Sequence, residues 1–212
     1  LVAAAERGIY VTNVPDYCMD EVSTHAMALL LAVVRRIVQL DRWVKDGNWH
    51  FLHEARPIWR TYGQTLGIVG LGRIGRALVP KAKGFGFHVL VADPYLEQEV
   101  VQSYGAEQVS LDELLAQSDY VSLHCPLNAE TRHLIGEREL RLMTPTAILV
   151  NTARGAVVDN GALYRALIEG RIAGAGLDVI EHEPPRDETM LLARLPNVVV
   201  SPHAAFYSEQ AL

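Results

Sequence analysis

The sequence predicts an α/β fold in which a doubly wound parallel sheet is covered by helices on both faces. Short apolar segments alternate along the chain with segments of helical pattern, and a glycine-rich turn joins the first such strand to its helix. Continuous apolar runs are typical of strands buried on both faces, as in a parallel sheet. With 50% hydrophobic and 21% charged residues among 212, the chain can also bury a complete core.

The first part of the chain is expected to be largely helical. Residues 3–7 are interpreted as the end of a helix that Gly8 caps, and residues 9–12 as a short strand. A single long helix is predicted over residues 20–46, and its apolar residues occupy more than one face. Such a helix is typically buried by more than its own domain, so contact with a second domain or subunit is expected beside the alternative of a simple core helix.

The rest of the chain is predicted to alternate strand and helix. The expected strands are residues 66–69, 89–92, 120–123, 148–150, 175–177 and 198–200. The helices expected between them are residues 73–85, 111–117, 137–142 and 161–169.

A glycine motif follows the first of these strands and opens its helix. The motif has GxGxxG spacing and consists of Gly70, Leu71, Gly72, Arg73, Ile74 and Gly75. In such a turn the first glycine allows the tight bend, the second lets the backbone approach a pyrophosphate, and the third lets the helix pack closely. The free N–H groups and the positive end of the helix dipole then face the phosphates.

An acidic residue stands where a dinucleotide site needs one. Asp93 ends the second predicted strand, 18 residues after Gly75, near the spacing of about 20 expected for a carboxylate that binds the ribose. A helix N-cap is the alternative use of this aspartate. Strand, glycine turn, helix, strand and terminal carboxylate together predict a dinucleotide-binding Rossmann unit.

Composition and charge exclude several other classes of protein. A net charge of −6 without a basic block argues against a nucleic-acid surface, and the longest apolar run, residues 26–34, is too short for a membrane span of about 20 residues. The only cysteines, Cys18 and Cys125, form no disulfide framework, so a reducing, cytoplasmic location is expected. His50 and His53 have the spacing of a metal pair but lack a third ligand, so no metal is predicted.

Three further polar residues follow predicted strands at their carboxyl ends, where ligands bind in open parallel sheets. If the fold brings them together, Arg154, Glu183 and His203 could assist hydride transfer from a nicotinamide to a ketone. Hydride transfer to a ketone leaves negative charge on its oxygen, and a histidine can donate the proton. A nearby carboxylate favours the imidazolium, and an arginine can bind a substrate carboxylate through two hydrogen bonds.

Each of these residues also has a structural interpretation. Arg154 is consistent with a surface residue on a loop, Glu183 with a solvated acidic run that includes Glu181, and His203 with a packed loop histidine. His25 is expected to be structural or to lie at the surface.

Taken together, these motifs resemble the D-isomer-specific 2-hydroxyacid dehydrogenase family over nearly the whole chain. The resemblance rests on residues 70–75, 150–155, 177–179, 183–184 and 201–203. Residues 202–210 are most similar to the C-terminal binding protein branch of this family. One residue departs from that branch, because Phe206 stands where the branch usually has tryptophan.

The family resemblance implies a role for each site residue. His203 would be the proton donor, Glu183 its partner and Arg154 the residue that binds substrate. Asp93 would bind the adenosine ribose, which favours NAD over NADP because an acid repels a 2′-phosphate, and Asp178 would bind the nicotinamide amide. The other cofactor contacts would be Cys125, Pro126, Leu127, Asn128, Thr131, Thr152, Ala153, Ala204 and Ala205, with Arg154 and His203. Phe206 would lie beside the substrate side chain.

The resemblance also implies a domain organisation and two candidate functions. Residues 16–204 would form the NAD-binding domain, residues 1–15 a remnant of a flavodoxin-like substrate domain with its hinge, and residues 205–212 the start of a helix returning to that domain. The long helix would support a homodimer. The first candidate is an NAD-dependent oxidoreductase of a D-2-hydroxyacid and its 2-ketoacid, without nucleic-acid or membrane contact. The alternative is an NADH-gated dimeric binding protein like the co-repressors.

Overall fold

The computed structural model of the chain describes residues 2–14, 16–50, 57–186 and 188–211. Its helices are α1 Val2–Ala5, α2 Met19–Val34, α3 Ile37–Lys45, α4 Arg73–Gly84, α5 Gln98–Ser103, α6 Leu111–Gln117, α7 Glu137–Leu142, α8 Asn160–Ile168 and α9 Glu188–Ala193, with a 3₁₀ turn at Gly155–Val157. Its strands are β1 Thr65–Val69, β2 His88–Ala92, β3 Glu107–Gln108, β4 Tyr120–Leu123, β5 Ile148–Asn151, β6 Gly174–Leu177 and β7 Val198–Val200.

The strands form one parallel sheet in the order β3-β2-β1-β4-β5-β6-β7. The order reverses between β1 and β4, so the loops after these two strands diverge and leave a crevice at their carboxyl ends. Val69 at the end of β1 is in register with Ala92 of β2 and with Leu123 of β4. The residues that follow β1, β2 and β4 therefore open onto the same crevice.

Helices cover both faces of the sheet, as the sequence predicts. One buried apolar cluster joins α2 and α4 to the sheet, and a second joins α6, α7 and α8 to the opposite face. Helix α2 packs directly on β6, where a Cβ atom on Gly176 would lie 3.0 Å from the Cβ of Leu29. The doubly wound parallel fold is thus confirmed.

The single long helix predicted over residues 20–46 is wrong, because it is divided into α2 and α3. Arg36 separates them in a left-handed conformation with φ +52°. Helix α2 buries residues such as Leu30 within this domain, between the sheet and α4. Helix α3 buries none of its residues, and Ile37 and Val44 are about half exposed. The several apolar faces therefore belong to two helices in different environments.

The six predicted strands and the four helices between them are each found to within one residue at either end. Strand β3 and helices α5 and α9 were not predicted. The strand predicted at residues 9–12 is wrong, since these residues are irregular and Tyr10 is 96% exposed. Residues 209–211 form a turn in which the Ala211 N–H donates to Ser208 Oγ, and the domain limits 1–15, 16–204 and 205–212 stay predictions.

Within the described ranges, no helix combines the length and the hydrophobicity needed to cross a bilayer.

Candidate cofactor and catalytic site

The glycine turn after β1 has the close contacts that its sequence predicts. Gly70 has φ +90°, and a Cβ atom there would lie 2.9 Å from the backbone nitrogen of Cys125. A Cβ atom on Gly75 would lie 2.4 Å from the Gly70 carbonyl oxygen. Gly72 differs, because a Cβ atom there would meet no described atom within 4 Å. Packing therefore requires the first and third glycines, whereas the second leaves the space that a pyrophosphate needs.

The carboxylate of Asp93 holds this turn from the end of β2. One oxygen accepts a hydrogen bond from the Leu71 N–H at 2.8 Å, and the other accepts from the Tyr95 N–H at 3.0 Å. The N-cap alternative is not met, since α5 begins at Gln98 with Glu97 as its N-cap residue. Asp93 thus lies beside the glycine turn, as a carboxylate that recognises a ribose must.

A cleft of about 430 Å³ lies between the glycine turn, Asp93 and the loop after β4. Seven of the residues predicted to bind the cofactor line this cleft: Gly70, Gly72, Asp93, Cys125, Pro126, Asn128 and Thr131. The side-chain oxygen of Asn128 accepts from the backbone N–H groups of Glu130 and Thr131, which fixes this loop. Leu127, in the same loop, is 40% exposed. Leu71 is fully buried under the turn, while Arg73 and Ile74 begin α4.

Two buried polar atoms at the carboxyl ends of the strands have no hydrogen-bond partner among the described residues. They are Thr152 Oγ1, just after β5, and His124 Nδ1, just after β4. The other ring nitrogen of His124 is 2.8 Å from Ser122 Oγ, and burial lowers the pKa of His124 to about 4, so the ring is neutral. Buried polar groups normally have partners, so these two atoms fit a polar ligand. Together with the free space beside Gly72, these two unpaired atoms are consistent with a bound dinucleotide.

His203 and Glu183 form a close pair beyond the ends of β6 and β7. His203 Nδ1 is 2.6 Å from one carboxylate oxygen of Glu183, and the other oxygen accepts from the Ile180 N–H at 3.1 Å. An ionised carboxylate only accepts hydrogen bonds, so Nδ1 carries the proton. The opposite ring nitrogen, Nε2, is then the one that can transfer a proton to a ligand. The side chains are 45% and 35% exposed, which leaves them accessible.

Arg154 follows β5 in a turn that packs against the segment carrying Glu183. Its carbonyl oxygen accepts from the Asn151 side-chain amide at 3.0 Å, and its exposed guanidinium donates to the Ala153 carbonyl oxygen at 2.6 Å. A Cβ atom on Gly155 would lie 1.9 Å from the carbonyl carbon of Ile180, so the two turns are in backbone contact. Strands β5 and β7 are two strand spacings apart, about 10 Å. The three predicted catalytic residues therefore share one edge of the sheet.

Asp178 has a structural role that the sequence interpretation missed. The residue is 2% exposed, and its carboxylate accepts from Ser201 Oγ at 2.6 Å and from the N–H groups of Ala204 and Ala205 at 2.9 Å each. The Asp178 carbonyl oxygen also accepts from the His203 N–H at 2.8 Å. Asp178 therefore anchors the loop that carries His203. An aspartate directly after a buried strand was the only signal in the sequence.

The aromatic residue predicted to lie near the substrate is adjacent to His203. The rings of Phe206 and His203 are 6.4 Å apart in a nearly perpendicular arrangement, and the ring of Tyr17 is also 6.4 Å from that of Phe206. Phe206 is 37% exposed and Tyr17 39%. The Phe206 ring can therefore contact a ligand that reaches His203.

Neither cysteine is paired in a disulfide. Among the described residues, no group of three or more potential metal ligands occurs. His53, one member of the spaced histidine pair, lies outside the described residues.

Comparison with known proteins agrees with this geometry. The family model for the NAD binding domain of D-isomer specific 2-hydroxyacid dehydrogenases matches residues 27–205. The chain is 51% identical over 210 residues to the glyoxylate reductase of Korarchaeum cryptofilum, covering 98% of this chain and 63% of that protein. It is 44% identical over 210 residues to the D-3-phosphoglycerate dehydrogenase of Methanocaldococcus jannaschii, covering 99% and 39%. The D-lactate dehydrogenase of Aquifex aeolicus, solved with NAD and lactic acid, has a TM-score of 0.89 at 36% identity, covering 99% and 67%.

These comparisons identify the family and not its branch. The chain spans less than two thirds of the length of these two curated relatives, and their names lend no support to the C-terminal binding protein branch. The match to the family model extends over most of the chain, from α2 to the loop after His203. The chain therefore belongs to the D-isomer specific 2-hydroxyacid dehydrogenase family and contains its NAD-binding domain.

Proposed function

We propose that the full-length protein is an NAD-dependent oxidoreductase that interconverts a D-2-hydroxyacid and its 2-ketoacid. The observation that carries this proposal is the His203–Glu183 pair, with its 2.6 Å contact, at the same sheet edge as the glycine turn and Arg154. Ketone reduction requires a proton donor paired with a carboxylate and a bound dinucleotide, and the histidine pair and the cleft both lie at the carboxyl ends of the strands.

Each of the three side chains has one task in the proposed reaction. When bound, the nicotinamide supplies the hydride that attacks the carbonyl carbon. His203 donates the proton from Nε2 to the carbonyl oxygen as negative charge develops there, and Glu183 stabilises the imidazolium. Arg154 binds the substrate carboxylate, for which its guanidinium must leave the Ala153 carbonyl oxygen.

The cofactor is proposed to lie along the carboxyl ends of β1, β2, β4 and β5. The N–H groups of the glycine turn bind its pyrophosphate, and Asp93 binds the adenosine ribose, which favours NAD over NADP. Residues 125–128 with Thr131, and then Thr152 and Ala153, line its path. Asp178, Ala204 and Ala205 stand at the nicotinamide end.

A small 2-ketoacid is the proposed substrate. The names of the relatives, glyoxylate reductase and D-lactate dehydrogenase, support this class. A homodimer, a cytoplasmic location and a second domain that completes the substrate site belong to the same proposal. The co-repressor alternative gains no support from these relatives, and we do not propose it.

The test is reduction of a panel of ketoacids by NADH in the full-length protein. Glyoxylate, hydroxypyruvate, pyruvate and 2-keto-4-methylthiobutyrate are offered, and NADH oxidation is followed by absorbance. We expect at least one substrate to be reduced and H203A to abolish its turnover while NADH still binds. If no ketoacid is reduced above background, or if H203A is as active as the wild type, the proposal is wrong.

A further inference from the structure

The segment that carries His203 and Phe206 has no regular structure of its own. Residues 201–208 contain neither helix nor strand, and His203 is held in a left-handed conformation with φ +52°, which is uncommon for a residue with a side chain. Other parts of the molecule must therefore fix the direction in which the imidazole points. Residues 201–208 are called the histidine loop below.

One end of the histidine loop is connected to α2 through a partly buried chain of hydrogen bonds. His25 Nε2 on α2 is 2.7 Å from Ser201 Oγ, which in turn donates to the Asp178 carboxylate at 2.6 Å. Because the single hydroxyl proton of Ser201 is directed at Asp178, His25 must donate to Ser201 Oγ. The same His25 nitrogen is 3.4 Å from the Asp178 carboxylate, which binds the N–H groups of Ala204 and Ala205.

The other end of the loop is tied to the same helix. The Glu21 carboxylate accepts a hydrogen bond from Ser208 Oγ at 2.8 Å. Glu21 and His25 are four residues apart in α2, so their side chains lie on one face of the helix, one above the other. They contact the histidine loop on both sides of His203 and Phe206.

Helix α2 can serve as a rigid support for this contact. Other positions along the helix are buried against the sheet and α4, including Leu29 and Leu30. We infer that Glu21 and His25 are positioning residues, which hold the histidine loop so that His203 is aimed at the substrate. This inference rests on the proposed oxidoreductase function and adds residues on α2 to its machinery.

The first test measures turnover in the full-length protein. H25A removes the donor to Ser201, and H25Q retains a side-chain N–H donor. We expect H25A to lower kcat by about tenfold, as for the loss of one hydrogen bond to a charged network, while KM for NADH changes less than about twofold. H25Q should recover most of kcat. H88A, at the exposed start of β2, is the matched control and should not change kcat.

A second measurement does not depend on turnover. Amide hydrogen exchange of Ala204 and Ala205 reports directly on the bonds to Asp178, and we expect it to be faster in H25A than in H88A or the wild type. S201A removes the hydroxyl of the next residue in the hydrogen-bond chain from His25 to Asp178. It allows the same exchange measurement if H25A does not fold. Exchange of the Ala204 and Ala205 amides should also be faster in S201A than in the wild type.

The two proposals can fail separately. If the wild type reduces no ketoacid, the proposed function fails, and the exchange rates still decide whether α2 holds the loop. If the wild type is active but H25A leaves kcat unchanged, or if exchange at Ala204 and Ala205 is the same in H25A, S201A and the wild type, the inference is overturned. A loss in H25A that H25Q does not restore also contradicts it.

Discussion

Replacing Glu183 by glutamine removes the charge next to His203 with almost no change in shape. In the wild-type protein, the Glu183 carboxylate accepts hydrogen bonds from His203 Nδ1 and from the Ile180 N–H. A glutamine has a single side-chain oxygen, so it can satisfy one of these donors and must turn its own NH₂ group toward the other. The imidazolium that forms in the reaction would lose its counter-charge.

The expected effect follows from the strength and the exposure of this contact. Hydrogen bonds to charged groups contribute about 1.5–3 kcal/mol, and the lower end applies here because His203 and Glu183 are 45% and 35% exposed. A loss of about 1.5 kcal/mol in the transition state corresponds to a decrease of about tenfold in kcat/KM. NADH affinity should change little, since the pair acts on the carbonyl oxygen.

The assay is the steady-state kcat/KM of the full-length protein for its best ketoacid, with NADH binding followed by fluorescence. Glu181→Gln is the matched control, because Glu181 belongs to the same acidic run but pairs with Arg132 and His133. If E181Q lowers kcat/KM as much as E183Q does, or if E183Q has no effect, Glu183 is not the partner of the catalytic histidine.

Three further predictions concern the fold, the cofactor and the pH dependence of stability. Gly155→Ala places a Cβ atom 1.9 Å from the Ile180 carbonyl carbon and should destabilise the protein by about 1–3 kcal/mol or more in urea unfolding, and unchanged stability would contradict the contact. Asp93→Asn should weaken NADH binding about tenfold and reduce discrimination against NADPH in fluorescence titrations, and unchanged affinities would rule out its ribose role. Burial lowers the pKa of His124 from 6.5 to about 4, so the unfolded chain binds the proton more readily. The free energy of unfolding should therefore decrease as the pH falls from about 6.5 to about 4, by up to roughly 3 kcal/mol, and H124Q should reduce this slope in pH-dependent denaturation.

The sheet and the glycine turn could be predicted because their signals are local. Each strand is a short apolar run between breakers, and Gly70 and Gly75 have the spacing that a tight turn and a close helix require. The division of the first long helix could not be predicted. Residues 20–46 have a continuous helical pattern. Arg36 has a left-handed conformation, but no glycine or proline at this position signals a break in the helix.

The catalytic site was predictable only in part, because some of its features depend on contacts between residues distant in sequence. Arg154, Glu183 and His203 stand after successive strands, and parallel strands bring their carboxyl ends to one edge. The contacts that hold the site are different, because they join residues far apart in the chain. His25 and Ser201 are separated by 176 residues, and a lone histidine in an apolar helix gives no sign of its partner.

The most direct test of the proposed site is a crystal structure of the full-length protein with NADH and oxamate, an unreactive analogue of a 2-ketoacid. We predict that the oxamate carboxylate binds the Arg154 guanidinium and that its carbonyl oxygen lies about 2.6–3.2 Å from His203 Nε2. The nicotinamide should stack beside the oxamate carbonyl carbon. Oxamate bound away from His203, or a nicotinamide outside the edge formed by β1, β4 and β5, would contradict the proposed mechanism.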